Sequence, residues 1–188
     1  IDPLEVLPSS TQVTALALAA DGSWLAWGDG EGDVSIHQRK GGDAPSFSVD
    51  GGVSHIAISD QGMLIVGSHS GDLFGHERLG GRRWTHSLGG GCDHLAASTS
   101  GDLIAAIDGA RLLHLLTSEG RLLGHYQQGE LILLAVAQDG QLAAVADDEG
   151  NVTVLSRDGT VRFRREQRGE SGERVTALEF LADGHLCV

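Results

Sequence analysis

One interval constrains this chain more than any other feature: a turn glycine returns as Gly22, Gly62, Gly101, Gly140 and Gly184, at spacings of 40, 39, 39 and 44 residues. A fixed period of this size means one supersecondary unit used repeatedly, each burying its apolar faces against its neighbours. Inside each unit a second turn falls nine or ten residues later, at Gly32, Gly71, Ala110 and Gly150. A third follows at Gly41, Gly80, Gly120 and Gly159. Three turns separate four strands.

The dipeptides Asp21-Gly22, Asp139-Gly140 and Asp183-Gly184 suit two-residue hairpins, because Asp and Gly tolerate positive φ. Between the turns lie runs of five to seven residues, among them Val13 to Ala19, Leu64 to Gly67, Leu131 to Ala137 and Val152 to Leu155. These are too short for stable helices and read as strands. Several are nearly continuous in apolar or small residues, as expected of inner strands covered on both faces.

Four-stranded antiparallel units of about 40 residues, stacked around an axis, make an all-β propeller. A β-sandwich also needs short strands, but it has no reason to repeat three turns at the same offsets. The units predict blades at about 13–50, 53–88, 92–128 and 131–166, with a partial blade at 174–188. That is some four and a half blades of a ring expected to hold six to eight, the remainder coming from the same or another chain. Residues 1–10 could supply an outer strand that closes the ring.

The repeat resembles the WD-repeat propellers and, more closely, the quinoprotein-like (PQQ-like) repeats. In the latter a strand, a turn glycine and an outer strand bearing Trp follow one another, and LFGHERLGGRRW, with Gly80, Gly81 and Trp84, is similar to that pattern. VTVLSRDGTVRF and LLHLLTSEGRLL share it, with Phe163 and Leu123 near the Trp position. Gly124-His125 stands where WD repeats place a Gly-His pair, although the Trp-Asp dipeptide is absent. The resemblance implies a fold, not a chemistry. The polar and metal-binding set that holds the cofactor of catalytic quinoproteins is not found, so no cofactor is expected.

The formal charge of −13 opposes binding to nucleic acid or anionic membranes, which depends on clustered Lys and Arg. No apolar stretch approaches the roughly 20 residues of a membrane span. Ile1 to Ser10 show no basic start followed by an apolar run, which favours a cytoplasmic location. Cys92 and Cys187 lack any paired spacing and read as two core thiols.

His55 and His94 both stand seven residues before the repeat glycine, where other units have Ala15, Leu133 and Ala177. They therefore fall on innermost strands of adjacent blades, as candidates for a channel ligand or metal. Two imidazoles fall short of the three or four ligands of a stable metal site, so no metal is assigned. Trp24, Trp27 and His69 lie in or beside turns of the first two units, and Trp84, Arg82 and Arg83 on an outer strand. These six are candidates for binding a protein partner.

Asp29, Glu31, Asp33, Asp72, Asp108, Asp147, Asp148 and Glu149 cluster at the second turns and predict a solvated acidic rim. Arg121, Arg162, Arg164 and Arg165, with Arg82 and Arg83, fall on outer strands, where charge discourages unwanted edge pairing. No nucleophile elbow, phosphate-binding glycine loop opening a helix, or His-Glu metalloprotease motif is present. The expected function is a noncatalytic scaffold for protein interaction within a larger assembly. The alternative is a sensor or enzyme with a small molecule or metal in its channel.

Overall fold

The computed structural model describes residues 11–39, 46–77, 81–166 and 175–188. The proposed closing strand at 1–10, Gly41 and Gly80 lie outside the described residues. No helix occurs among the described residues, and none is therefore long and apolar enough to cross a membrane.

The first sheet is β1 (Val13–Leu18), β2 (Trp24–Asp29), β3 (Asp33–Gln38) and β4 (Phe47–Ser48); the second is β5 (Val53–Ile58), β6 (Met63–Ser68), β7 (Asp72–Glu77) and β8 (Arg82–Ser87). The third holds β9 (Cys92–Ala97), β10 (Ile104–Asp108), β11 (Leu113–Leu116) and β12 (Leu122–Tyr126). The fourth holds β13 (Leu131–Val136), β14 (Leu142–Asp147), β15 (Val152–Ser156) and β16 (Val161–Arg165). A two-stranded sheet of β17 (Glu179–Phe180) and β18 (Leu186–Cys187) follows. Each four-stranded sheet is an antiparallel meander in chain order, and the first strands of successive sheets lie side by side.

The middle strands are buried along their length: β6, β10 and β15 have no residue open to solvent. Each sheet has two unlike faces. On the first and fourth sheets an Ala-rich rear face meets larger residues on the next sheet, whereas the rear of the second carries Met63, Ile65 and Leu73. Ala15, Ala26 and Ile36 pack in one cluster with Ile56, Leu64 and Val66. Leu103, Ala105 and Leu115 pack with Leu134, Val145 and Leu155, and Ala135 and Ala144 with Leu178 and Phe180.

Two glycines set the spacing. A Cβ on Gly28 would lie 2.7 Å from a methyl of Val53, and one on Gly67 would lie 2.6 Å from Cys92 Sγ. Gly28 and Gly67 occupy the same register, as do Val53 and Cys92, so adjacent sheets approach through the same gap twice.

The hairpins differ from the expected two-residue type. β1 and β2 are joined through Ala19 and Trp24, whose backbones bond, with a tight turn from the Ala19 carbonyl to the Gly22 amide. The positive φ of 67° at Gly22 follows that turn rather than forming its centre, so the loop has four residues; the equivalent loop before Met63 has three. In the third sheet the residue with positive φ is Arg111 (φ 63°), not the neighbouring Ala110, because the turn closes from the Asp108 carbonyl to the Arg111 amide. The two thiols also part company: Cys92 is buried, whereas Cys187 is exposed on β18.

Gly28→Ala places a methyl against a β-branched side chain that cannot move aside, and overpacking of this kind costs about 1–3 kcal/mol. Thermal denaturation should show a lowered midpoint for Gly28→Ala. Adding Val53→Ala should recover part of that loss, whereas additive losses would show that the two residues do not share the gap.

Candidate functional site

The second turns of the first, third and fourth sheets are held by one device. Asp29 Oδ1 accepts the amides of Glu31 and Asp33, each at 3.0 Å; Asp108 Oδ1 accepts those of Ala110 and Leu112, each at 2.9 Å; Asp147 Oδ1 accepts those of Glu149 (3.1 Å) and Asn151 (2.8 Å). In the second sheet Ser68 Oγ takes the place, accepting the Asp72 amide at 3.0 Å. Three members of the predicted solvated rim are thus buried: Asp29, Asp108 and Asp147 are only 5%, 0% and 5% exposed. A short carboxylate satisfies two backbone donors that no strand partner can reach, which is why Asp starts these turns.

The second carboxylate oxygen differs from sheet to sheet. Thr11 donates to Asp29 Oδ2, and Asn151 Nδ2 to Asp147 Oδ2 at 2.9 Å. Asp108 Oδ2 accepts from Gly89 N (3.2 Å) and from His114 Nε2 (3.1 Å). His114 Nδ1 in turn lies 3.5 Å from Nε2 of His86 on the outer strand β8. A chain of polar groups therefore runs from one sheet into the next. Burial alone would raise the carboxyl of Asp108, but its bonds to Leu112, His114 and Ala110 outweigh it and hold the group below its usual range.

In the second, third and fourth sheets the turn is also stitched to the loop entering its sheet. His69 N donates to Gly52 O, Gly109 N to Gly91 O, and Asp148 N to Glu130 O. Arg111 spans the same side, with Nη1 3.0 Å from Asp93 and Nη2 3.4 Å from Glu130. Glu31, Asp33, Asp148 and Glu149 remain exposed on this rim, with Asp72 half-buried.

His55 and His94 are brought together from β5 and β9, with ring centroids 6.1 Å apart and planes inclined by 42°. His55 Nδ1 lies 3.1 Å from the carbonyl of Cys92, which can only accept, so Nδ1 carries the proton and Nε2 is left as a lone pair. Burial pushes both imidazoles below their ordinary value, offset at His55 by that carbonyl and reinforced at His94 by His55 itself. Burial likewise drives the Cys92 thiol up to about 12. No group of three or more His, Cys, Asp or Glu among the described residues could hold a metal ion.

The partner-binding candidates scatter. Trp24 lies in the core between the first two sheets, and Trp27 is half-buried on the front face of the first. Trp84 fills the space between two sheets: Cβ atoms on Gly75 and Gly120 would lie 2.1 Å and 2.5 Å from its ring, and its Nε1 donates to Ser118 O at 2.8 Å. The residue in its register on β12 is Gly124, not Leu123; there the backbone at Asp158 approaches directly. Arg82 and Arg83 are exposed on β8, Arg83 lying 3.7 Å from Glu77, and His69 is exposed on the opposite rim. Arg121, Arg162 and Arg165 are exposed on or beside outer strands, while Arg164 is half-buried.

Stacked four-stranded meanders with their first strands adjacent match known structures. BamB from Moraxella catarrhalis, a PQQ-like propeller, superposes over 80% of this chain and 48% of its own, with TM-score 0.68 and 21% identity. A WD40 propeller from a mitotic checkpoint complex superposes over 92% of this chain and 55% of its own, with TM-score 0.76 and 17% identity. The fold is a β-propeller. The chain spans about half the length of the solved propellers it matches. No protein-family profile matches it, and no curated protein matches it in sequence.

Sequence reasoning missed the roles of His86, His114 and Arg111 in this propeller. An Asp two and four residues ahead of turn amides is a recognisable signal for the carboxylate clasp. Nothing local in the sequence pairs His86 with His114.

The lowered carboxyl of Asp108 gives a pH signature. Its folded value lies below the unfolded one, so its contribution is complete above the ordinary carboxylate range, about 3.9, and is lost as pH falls through the lowered value. Asp108→Asn should cost about 1–3 kcal/mol at neutral pH, since a carboxylate accepting four donors becomes an amide. Urea midpoints should show that gap closing on acidification. A gap that stays constant would mean that the bonds, not the charge, carry the effect.

Proposed function

We propose that this propeller is a noncatalytic scaffold whose acidic rim receives a basic segment of a protein partner within a larger assembly. The observation that carries this reading is the division of labour among the rim acids. Buried Asp29, Asp108 and Asp147 fix the second turns, and exposed Glu31, Asp33, Asp148 and Glu149 are presented on loops already held in place. Loops fixed on a rigid scaffold lose little entropy on binding. A net charge of −13 favours cationic partners over nucleic acid. One of the two solved neighbours comes from a multiprotein complex, which agrees with such a role.

His55 and His94 support a second reading, a small ligand or metal at the channel. The lone pair that the Cys92 carbonyl leaves on His55 Nε2 is the feature that favours it.

The two readings separate in one experiment on the full natural protein in its own cells. Glu31→Gln, Asp148→Asn and Glu149→Gln together should shift its native assembly to a smaller mass in chromatography with light scattering, without lowering the thermal midpoint. His55→Ala with His94→Ala should leave that mass unchanged. If the acid variants assemble normally and the histidine variants do not, the rim reading fails and the channel reading replaces it.

A further inference from the structure

The polar line from Asp108 through His114 to His86 ends in two imidazole nitrogens that face each other across the seam between the second and third sheets. An ionised carboxylate can only accept, so His114 Nε2, 3.1 Å from Asp108 Oδ2, carries the proton and Nδ1 is left as a lone pair. That Nδ1 lies 3.5 Å from His86 Nε2, with the ring centroids 5.6 Å apart and the planes inclined by 73°.

The separation is long for a hydrogen bond, whose nitrogen donors sit about 2.7–3.2 Å from their acceptors. It suits two imidazoles on one ion. With metal–nitrogen bonds of about 2.0 Å, two such ligands stand about 3.3 Å apart at a tetrahedral angle, about 3.5 Å at a trigonal one and about 4.0 Å in line. A carboxylate behind a ligating imidazole fixes its ring and raises its basicity. Asp108 occupies that place, fully buried and held by the amides of Gly89, Ala110 and Leu112. Among the described residues no third His, Cys, Asp or Glu completes a larger ligand set. That disfavours zinc, which takes four ligands, and leaves an ion satisfied with two or three.

We propose that His86 Nε2 and His114 Nδ1 form a site for a monovalent copper ion that bridges the second and third blades, with solvent as a third ligand. Both imidazoles bind neutral: the proton on His86 Nε2 moves to its own Nδ1, and none is released. The single positive charge is balanced through His114 by the Asp108 carboxylate, whose ion-pair partner among the described residues is that same histidine. His86 is half-buried on the outer strand β8, so the ion enters the seam from outside. The site is separate from the rim acids and from His55 and His94.

The test is titration of the full natural protein, carrying Cys187→Ser to remove the exposed thiol, with Cu(I) held reduced by ascorbate without oxygen and competed by bicinchoninate. Buried Cys92, with its thiol pushed up to about 12, does not compete. One Cu(I) should bind and raise the thermal midpoint. His86→Gln keeps a side-chain donor for His114 and should weaken that ion's binding about 100-fold, whereas His55→Ala with His94→Ala should leave it unchanged. The X-ray absorption of the ion lost in His86→Gln should show nitrogen or oxygen neighbours only. Equal binding by the parent and His86→Gln, or sulfur around that ion, would overturn the proposal. Loss of the ion in the His55 and His94 variant alone would move it to the channel and overturn the proposal equally.

Discussion

Everything in this propeller depends on how closely one sheet can approach the next. The missing Cβ atoms of Gly28 and Gly67 let the front face of the following blade descend until Gly28 meets Val53 and Gly67 meets Cys92. Where backbone separation is set by a missing Cβ, packing is specific rather than merely apolar, because no rotamer change relieves a misfit. The same approach brings the rims into register. Within each of the later blades the second turn is tied to that blade's own entry loop, as His69 N donates to Gly52 O.

The polar side chains divide along the same line. Buried aspartates do local work, closing their own turns, while the connection from His86 through His114 to Asp108 crosses between blades. Trp84 makes a similar crossing at the outer edge, seated between Gly75 and Gly120. A tryptophan in a sequence poor in aromatics invites a reading as a partner anchor, yet here the ring and its Nε1 donor are engaged within the fold. The charges that remain at the surface are carboxylates on one rim and arginines along the outer strands.

Arg111 shows how function-like features arise from structural need. Its positive φ would suit glycine, and a non-glycine residue there costs on the order of 1 kcal/mol. In exchange the guanidinium reaches both Asp93 and Glu130, tying the innermost strand of one blade to the loop that enters the next. The neighbouring His94 feels that charge, which adds to the larger effect of its own burial.

The 39- to 40-residue period, the three turns per unit and the nearly continuous apolar middle strands were legible in the sequence, because turn chemistry and burial are written in local residue types. His55 and His94 could likewise be placed on adjacent inner strands by counting back from the repeat glycine. The sequence could not say that Asp29, Asp108 and Asp147 turn inward while Glu31 and Glu149 face water. Nor could it separate buried Cys92 from exposed Cys187, or Trp84 as an interblade wedge from Trp84 as a docking residue. Those outcomes depend on which side chain a neighbouring blade covers, and that is a matter of contacts between units distant in sequence. Period and turn are properties of one repeat; burial and partnership belong to the stack.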